Sequence, residues 1–183
     1  MMHWVLDDGP FGCLAQVVGH AWRPPRGHLH LSEYVAARAG TDKSGRRQRL
    51  LAVTTSGEPS LIVHPVVDGS DVSKMIYGHL RRTLSGTDRH LGEDESIALL
   101  ALELTDAVFV TMDKGATYQA LAELGPGRVA SPFDLWDDLR AESCIAPGEF
   151  DRLCDLTTKG DSGLAGVPLR FWSLAARQRQ GLP

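Results

Sequence analysis

Three acidic residues stand where buried segments of this chain are expected to reach the surface. Asp7 ends the apolar run 3–6, and Asp113 ends the strand-like run 107–112. Glu93 opens the helix-like stretch 93–104. If these ends converge, the carboxylates repel one another and need a cation to hold them together. A hard metal ion held by carboxylates is typical of phosphodiester chemistry.

Each of the three acids also has a purely structural interpretation. Asp7, or Asp8 beside it, could cap the helix that is expected near Pro10. Glu93 could belong to a solvated first helical turn, where the helix dipole favours negative charge. Asp113 could be an ordinary loop residue after a strand. Their order and placement together favour the metal site.

The composition is that of an ordinary globular domain. The 183 residues fit one domain, and 43% of them are hydrophobic and 23% charged. The net charge of −4 and the pI of about 5.9 argue mildly against a nucleic-acid binder, which usually carries a basic surface. Local basic patches weigh more than this sum.

Cysteine usage and targeting signals point to the cytoplasm. Cys13, Cys144 and Cys154 have no CxxC spacing, so we expect reduced thiols and no zinc site. No apolar run approaches the ~20 residues that cross a bilayer. The start of the sequence lacks a basic segment followed by an apolar one, as a signal peptide would have. We therefore expect a cytoplasmic protein without a membrane partner.

Strands and helices are predicted to alternate along the chain. Helices are predicted at 11–18, 32–39, 71–84, 93–104, 116–124, 131–142 and 147–158, from their apolar periodicity and capping residues. Strands are predicted at 5–6, 50–54, 61–67, 107–111 and 128–130, with an exposed loop at 40–49. Alternation of this kind indicates an α/β fold with a mainly parallel central sheet. Ligands bind outside the carboxyl ends of such strands, where Asp7 and Asp113 stand.

Three short blocks resemble the motifs of PIN domains, and they occur in that family's order. The first is the strand ending at Asp7 with the small-residue turn after it. The second is 92–101, which resembles a helix of the pattern G-E-x-x-A-I-x-L-A. The third is 108–116, which resembles a strand ending in T-x-D and followed by a helix. The blocks cover well under half of the chain.

The resemblance implies a three-layer α/β/α, PIN-like nuclease domain over 1–160, with 161–183 as a tail packed on it. It implies an endoribonuclease whose Asp7, Glu93 and Asp113 are metal-binding, catalytic carboxylates. Mg²⁺ or Mn²⁺, held partly through waters, would activate a water for attack on the phosphodiester. Many relatives are toxins of toxin–antitoxin pairs and many dimerise, so the expected partners are RNA, an antitoxin or other protein, and a second copy.

One departure from the family pattern leaves activity open. The family has a further acid near residue 37, where this chain has Ala37. Glu33, Asp68 or Asp71 could supply it, or it is absent. If it is absent, the alternative is a catalytically inactive PIN-like protein that binds RNA or a protein partner. A receiver-like or phosphatase-like α/β domain is a poorer fit, because a receiver needs a Lys at a later strand end.

Basic residues could line an RNA path. Arg46, Arg47 and Arg49 are the predicted substrate-binding residues, with Arg81, Arg82 and Arg89 in a second basic segment. Two solvated loops explain these residues equally well. His28-x-His30 has the spacing of metal ligands, but the sequence offers no third ligand, and surface histidines are commoner.

Overall fold

The computed structural model describes residues 2–18, 22, 28–55, 57–80 and 90–160. The predicted tail, 161–183, and the second basic segment with Arg81, Arg82 and Arg89 lie outside the described residues.

A five-stranded parallel sheet forms the centre of the molecule. Its strands are β1 (Trp4–Leu6), β2 (Leu29–Ser32), β5 (Ile62–His64), β6 (Val108–Val110) and β7 (Val129–Ala130), in the order β5-β2-β1-β6-β7. In register, Leu6 lies opposite Val110 and Val5 opposite His30. β3 (Thr54–Thr55) and β4 (Glu58–Pro59) form a separate antiparallel pair.

Eight α-helices of the described residues surround the sheet: α1 (Asp8–Val17), α2 (Glu33–Ala37), α3 (Arg46–Leu51), α4 (Asp71–Met75), α5 (Leu91–Leu102), α6 (Lys114–Leu124), α7 (Pro132–Ala141) and α8 (Pro147–Gly160). Successive strand residues point to opposite faces of a sheet. Trp4 and Leu6 accordingly join a core with α1, α7 and α8, whereas Val5 joins a core with α4, α5 and α6. The predicted three-layer α/β/α architecture is therefore confirmed.

Capping side chains set the starts of several helices. Ser32 and Ser70 accept hydrogen bonds from backbone N–H groups of α2 and α4, as expected from the sequence. Ser131 and Asp134 form a capping box at the start of α7, with Pro132 in its first turn. These local signals are why most helix starts were predictable.

The predictions for 40–54 hold only in part: most of 40–49 is exposed as expected, but the secondary structure differs. The supposed loop contains a 3₁₀ turn (Arg38–Thr41) and the first part of α3, and the supposed strand begins inside α3. The Asp42 carboxylate accepts the N–H groups of Ser44 and Arg47 and so starts this short helix. Leu50 is then buried in the core that contains α1. Six residues are too few to show helical periodicity.

Two further elements differ from their predicted lengths. The strand at 61–67 is limited to β5, since Pro65 follows it and lacks the N–H that a ladder needs. The helix at 71–84 is α4 followed by one turn of π-helix, Ile76–Leu80. Its last four predicted residues lie outside the described part. No helix in the described residues is long and apolar enough to cross a membrane.

Candidate carboxylate site

The candidate site lies where the chain reverses its direction of travel across the sheet. From β1 the chain adds β2 and β5 on one side, then crosses back to add β6 and β7 on the other. Such a switch point leaves a crevice outside the carboxyl ends of its two central strands, which is where α/β sheets bind ligands. Asp7 follows β1 and Asp113 follows β6, so the fold brings both to this crevice.

Asp7 is a buried carboxylate with hydrogen bonds on both oxygens. Its residue is only 6% exposed. One oxygen accepts the backbone N–H of Asp8 at 2.7 Å, which makes Asp7 the N-cap of α1. The other accepts the hydroxyl of Thr111 at 2.6 Å. The capping interpretation of Asp7 is therefore confirmed, and it leaves a carboxylate at the crevice.

Thr111 ties the two strand-end acids together. While its hydroxyl donates to Asp7, the same oxygen accepts the backbone N–H of Asp113 at 3.0 Å. Asp113 is itself the N-cap of α6, with its carboxylate accepting the N–H of Ala116 at 2.9 Å. Thr111 is the threonine of the T-x-D pattern, and the sequence alone predicted no role for it. Its position one residue past β6, opposite Asp7 across the pair of strands, was the available signal.

Glu93 lies in the first turn of α5, where the charge of Asp7 acts on it. Its side chain is 16% exposed, and a weak contact of 3.4 Å joins it to Nδ1 of His90. A cavity of about 430 Å³ opens beside it, lined by His79, Leu80, His90, Glu93, Gly115, Ala116, Gln119 and Glu123. The helix packs on β1, β2 and β6, so Glu93 approaches the sheet from the face opposite α1.

Burial and mutual repulsion raise the pKa of two of these acids. The pKa of Asp7 rises above its usual value, chiefly because the group is desolvated, with the charges of Asp8 and Asp113 adding to the effect. The pKa of Glu93 rises to about 7, first through burial and second through the charge of Asp7. The charge of Asp113 thus acts on Asp7, and the charge of Asp7 acts on Glu93. Perturbed carboxylates in a crevice mark a functional-site candidate.

Asp8 is ion-paired with arginine side chains. Its carboxylate forms an ion pair with Arg47, and the Arg47 guanidinium also donates to the backbone oxygen of Asp8. Arg38 contributes a second, longer contact at 3.8 Å. Arg47 crosses α1 at Gly12, where an added Cβ would lie 2.6 Å from its Nη2 atom. A larger residue at this position would make the Arg47 guanidinium shift.

The three candidates for a fourth acid, Glu33, Asp68 and Asp71, have other partners or are exposed. A carboxylate oxygen of Glu33 accepts the backbone N–H of Val66, and Asp71 pairs with Lys74 at 3.0 Å. Asp68 is exposed. None of the three is among the charges that shift the pKa of Asp7 or Glu93. Asp7 and Asp113 thus lie at the crevice, linked through Thr111, and the charge of Asp7 acts on Glu93.

The predicted arginines lie along α1 and α3. Two cavities of about 180 and 390 Å³ share Ala15, Gln16 and Arg46 in their linings. Arg49 lines the smaller one, and Arg47 and Gly12 line the larger one. We call this surface the arginine groove. It begins beside Asp8 and is therefore close to the carboxylate crevice.

The side chains as they stand do not form a closed metal cage. Over the described ranges, no group of three or more His, Cys, Asp or Glu side chains is arranged so that it could hold an ion. Comparison with protein-family models, with curated proteins and with solved structures gives no match to this chain. The site's chemistry therefore has to be argued from its own residues.

Replacing Thr111 with valine should uncouple the two strand-end acids. Valine keeps the shape but leaves an Asp7 oxygen and the Asp113 N–H without their buried partner, so the free energy of unfolding should fall by about 1–3 kcal/mol. Urea unfolding would measure it. Thr158→Val, which removes an exposed hydroxyl bonded to its own helix, is the matched control. Equal losses in the two variants would contradict the bridging role.

Replacing Glu93 with glutamine should stabilise the metal-free protein at alkaline pH. In the folded chain the pKa is about 7, against 4.5 for the ordinary group, so folding favours the neutral acid. That preference is fully present below pH 4.5 and is lost as the pH rises through 7. At pH 8 in EDTA the variant should gain about 1–3 kcal/mol, and at pH 4 almost nothing.

Chemical denaturation at the two pH values measures this difference. The exposed Glu58→Gln is the control and should change little at either pH. A Glu93→Gln variant that is less stable than the parent at pH 8 would show that the carboxylate is held by favourable contacts and is not under strain.

Proposed function

We propose that this chain is a metal-dependent endoribonuclease of PIN-like type. One observation carries the proposal: the buried Asp7 lies at the switch point of the sheet, linked through Thr111 to Asp113 and repelled by Glu93. Folding concentrates negative charge there, although Arg47 lies close by and pairs with Asp8 instead. A site that retains mutually repelling carboxylates is well suited to a cation.

The donors fit Mg²⁺ or Mn²⁺. Carboxylate oxygens are the ligands of hard cations, and Mg²⁺ keeps several waters while using only one or two carboxylates directly. A set of acids that does not close into a cage is compatible with such binding. The bound ion would supply an activated water and neutralise charge on the phosphodiester. Asp7, Asp113 and Glu93 would hold it, and Thr111 would keep the first two in position.

The arginine groove supports a polynucleotide substrate. The chain is acidic overall, yet Arg46, Arg47 and Arg49 lie together beside the proposed site. Guanidinium groups pair well with phosphates, and a run of them follows a nucleic-acid backbone. Arg46 and Arg49 would bind phosphates on either side of the bond that is cut. A toxin-like or defensive role, with an antitoxin and a second copy as partners, belongs to the same proposal.

A second candidate function is binding without catalysis. The absence of a converging metal-binding group among the described residues, together with the lack of a fourth acid, favours it. In that case the arginine groove would hold RNA or an acidic protein segment, and the crevice would be a relic. The experiments below separate the two functions.

Cleavage should require both the metal and the three carboxylates. Structured and unstructured RNAs are incubated with the purified protein in Mn²⁺, Mg²⁺ or EDTA, and products are resolved on gels. Asp7→Asn, Glu93→Gln and Asp113→Asn should each lower the rate at least about 100-fold, because each removes charge that holds the ion. The control is Asp151→Asn, an exposed acid on α8.

The outcomes distinguish enzyme from binder. Cleavage that survives Asp7→Asn would mean contamination or another active site, and the proposal would fall. If no RNA is cut, Mn²⁺ titration by calorimetry decides: binding lost in Asp113→Asn supports the metal site, and no binding supports the binder.

Removing the arginines should weaken RNA binding without abolishing metal binding. Arg46→Ala with Arg49→Ala should reduce affinity for a single-stranded RNA about 10-fold or more in EDTA. It should also flatten the salt dependence, since fewer counterions are released. Filter binding at several salt concentrations measures both effects. Arg140→Ala removes a surface arginine on α7 that pairs with Asp137, and it should leave both unchanged.

A further inference from the structure

Four of the seven histidines lie together on one face of the sheet. His3 precedes β1, His28 precedes β2, His30 lies within β2, and His64 ends β5. Nδ1 of His3 is 3.0 Å from Nε2 of His30, and Nδ1 of His30 is 2.9 Å from Nε2 of His64. His28 stacks against His3 with ring centroids 4.7 Å apart. We call these residues the histidine row.

The row spans three parallel strands. His30 is in register with Val5 of β1 and with Ile62 of β5, and side chains in register on neighbouring strands share a face. His30 is 4% exposed in the middle of the row, whereas His3 is exposed and His64 is partly exposed. Protons from solvent therefore reach the two ends before the centre.

The hydrogen bonds of the row limit how many protons it can hold. A neutral imidazole has one N–H and one lone pair, and an imidazolium has two N–H groups. With all rings neutral, or with one outer ring protonated, both contacts of His30 can be hydrogen bonds. If His3 and His64 are both protonated, each presents an N–H to His30, which has only one lone pair. One contact must then break.

His30 does not relieve this conflict, because its ring does not readily take up a proton. Burial lowers the pKa of His30 to about 4, and the neighbouring His64, His3 and His28 add to the effect in that order. Burial also lowers the pKa values of His28 and His64. His30 thus remains a neutral ring between two rings that face solvent.

The acids around the row do not hydrogen-bond to it in the part of the chain that the structure describes. Glu103, at the end of α5, acts on His64 only through its charge. Asp138 of α7 acts weakly on His28, and its carboxylate accepts the indole N–H of Trp4 at 2.8 Å. Glu95, on α5, accepts the backbone N–H of Tyr34 at the start of α2. Two added positive charges would therefore repel without a bonded counter-charge.

We propose that the histidine row is an acid-operated catch that holds the edge strand β5 on β2 and releases it when both outer rings are protonated. Among the described residues, β5 has three residues and pairs only with β2, so it depends on side-chain contacts more than the inner strands do. The His30–His64 contact joins these two strands directly. Release would expose the edge of β2 at acidic pH, once the pH falls below the pKa of His64, which burial lowers from its ordinary value. The inference is independent of the nuclease proposal.

Hydrogen exchange measured by mass spectrometry or NMR tests the catch on the full chain. Rates at pH 7.5 and 5.5 are corrected for intrinsic exchange. The amides of β5 should open at least tenfold more at pH 5.5, relative to those of β6. If the amide exchange of β5 and β6 increases equally at pH 5.5, the row does not control β5 specifically and the proposal is wrong.

His64→Gln should abolish the local response, since glutamine can donate and accept but takes no proton. His79→Gln changes an exposed histidine outside the row, paired with Glu123, and should keep the response of the parent. If His64→Gln does not fold, ring ¹⁵N shifts of the parent protein decide. His64 should take up a proton before His30, which should stay neutral at pH 5.5. A His30 ring that takes the first proton would overturn the proposal.

Discussion

Much of this structure depends on placing one carboxylate, Asp7, at the junction of β1 and β6 with almost no solvent around it. The position follows from the parallel sheet: β1 and β6 are neighbours, their carboxyl ends meet, and α1 starts immediately after β1. Burial alone would favour protonation, and the hydroxyl of Thr111 and the N–H of Asp8 partly offset it. The two hydrogen bonds keep the acid in place, while the nearby charges of Asp8, Asp113 and Glu93 make the place unfavourable for an anion.

The nearby arginines do not pair with Asp7 in the described structure, so they do not offset the unfavourable burial of its charge. Arg47 pairs with Asp8, its guanidinium lies 5.5 Å from the ring centroid of Phe11, and it packs closely over Gly12. This fixes α3 against α1 and places cationic surface beside the acids without neutralising Asp7. A protein that is optimised only for stability would replace such acids with neutral residues. Acids under such strain in a crevice are the physical basis of the function proposed above.

The carboxylate crevice and the histidine row respond to pH in opposite directions. Raised carboxyl pKa values favour folding at low pH, and that contribution disappears as Glu93 ionises near pH 7. The depressed pKa of His30 works the other way, because the unfolded chain takes up protons between about pH 6.5 and 4 that the folded chain refuses. The crevice lies at the carboxyl ends of the central strands. The row begins near the opposite ends of β1 and β2 and runs outward to β5, so one fold carries two separate titrating regions.

The sequence by itself determined the fold class, most helices and the placement of Asp7 and Asp113 just after two strands. Those features are local: apolar periodicity, capping residues such as Ser32, Ser70 and Ser131, and acids placed just beyond strands. It missed α3, because a six-residue helix has no measurable period and depends on the Asp42 cap and on burial of Leu50. It also left Thr111 and the Asp8–Arg47 pair without roles, and it saw in His28-x-His30 only an incomplete site. Contacts between residues 27 to 104 positions apart exist only once the strands are ordered in the sheet. Tertiary structure alone therefore decided that burial and nearby charge raise the pKa values of Asp7 and Glu93, that Asp8 pairs with Arg47, and that His3, His30 and His64 lie in contact.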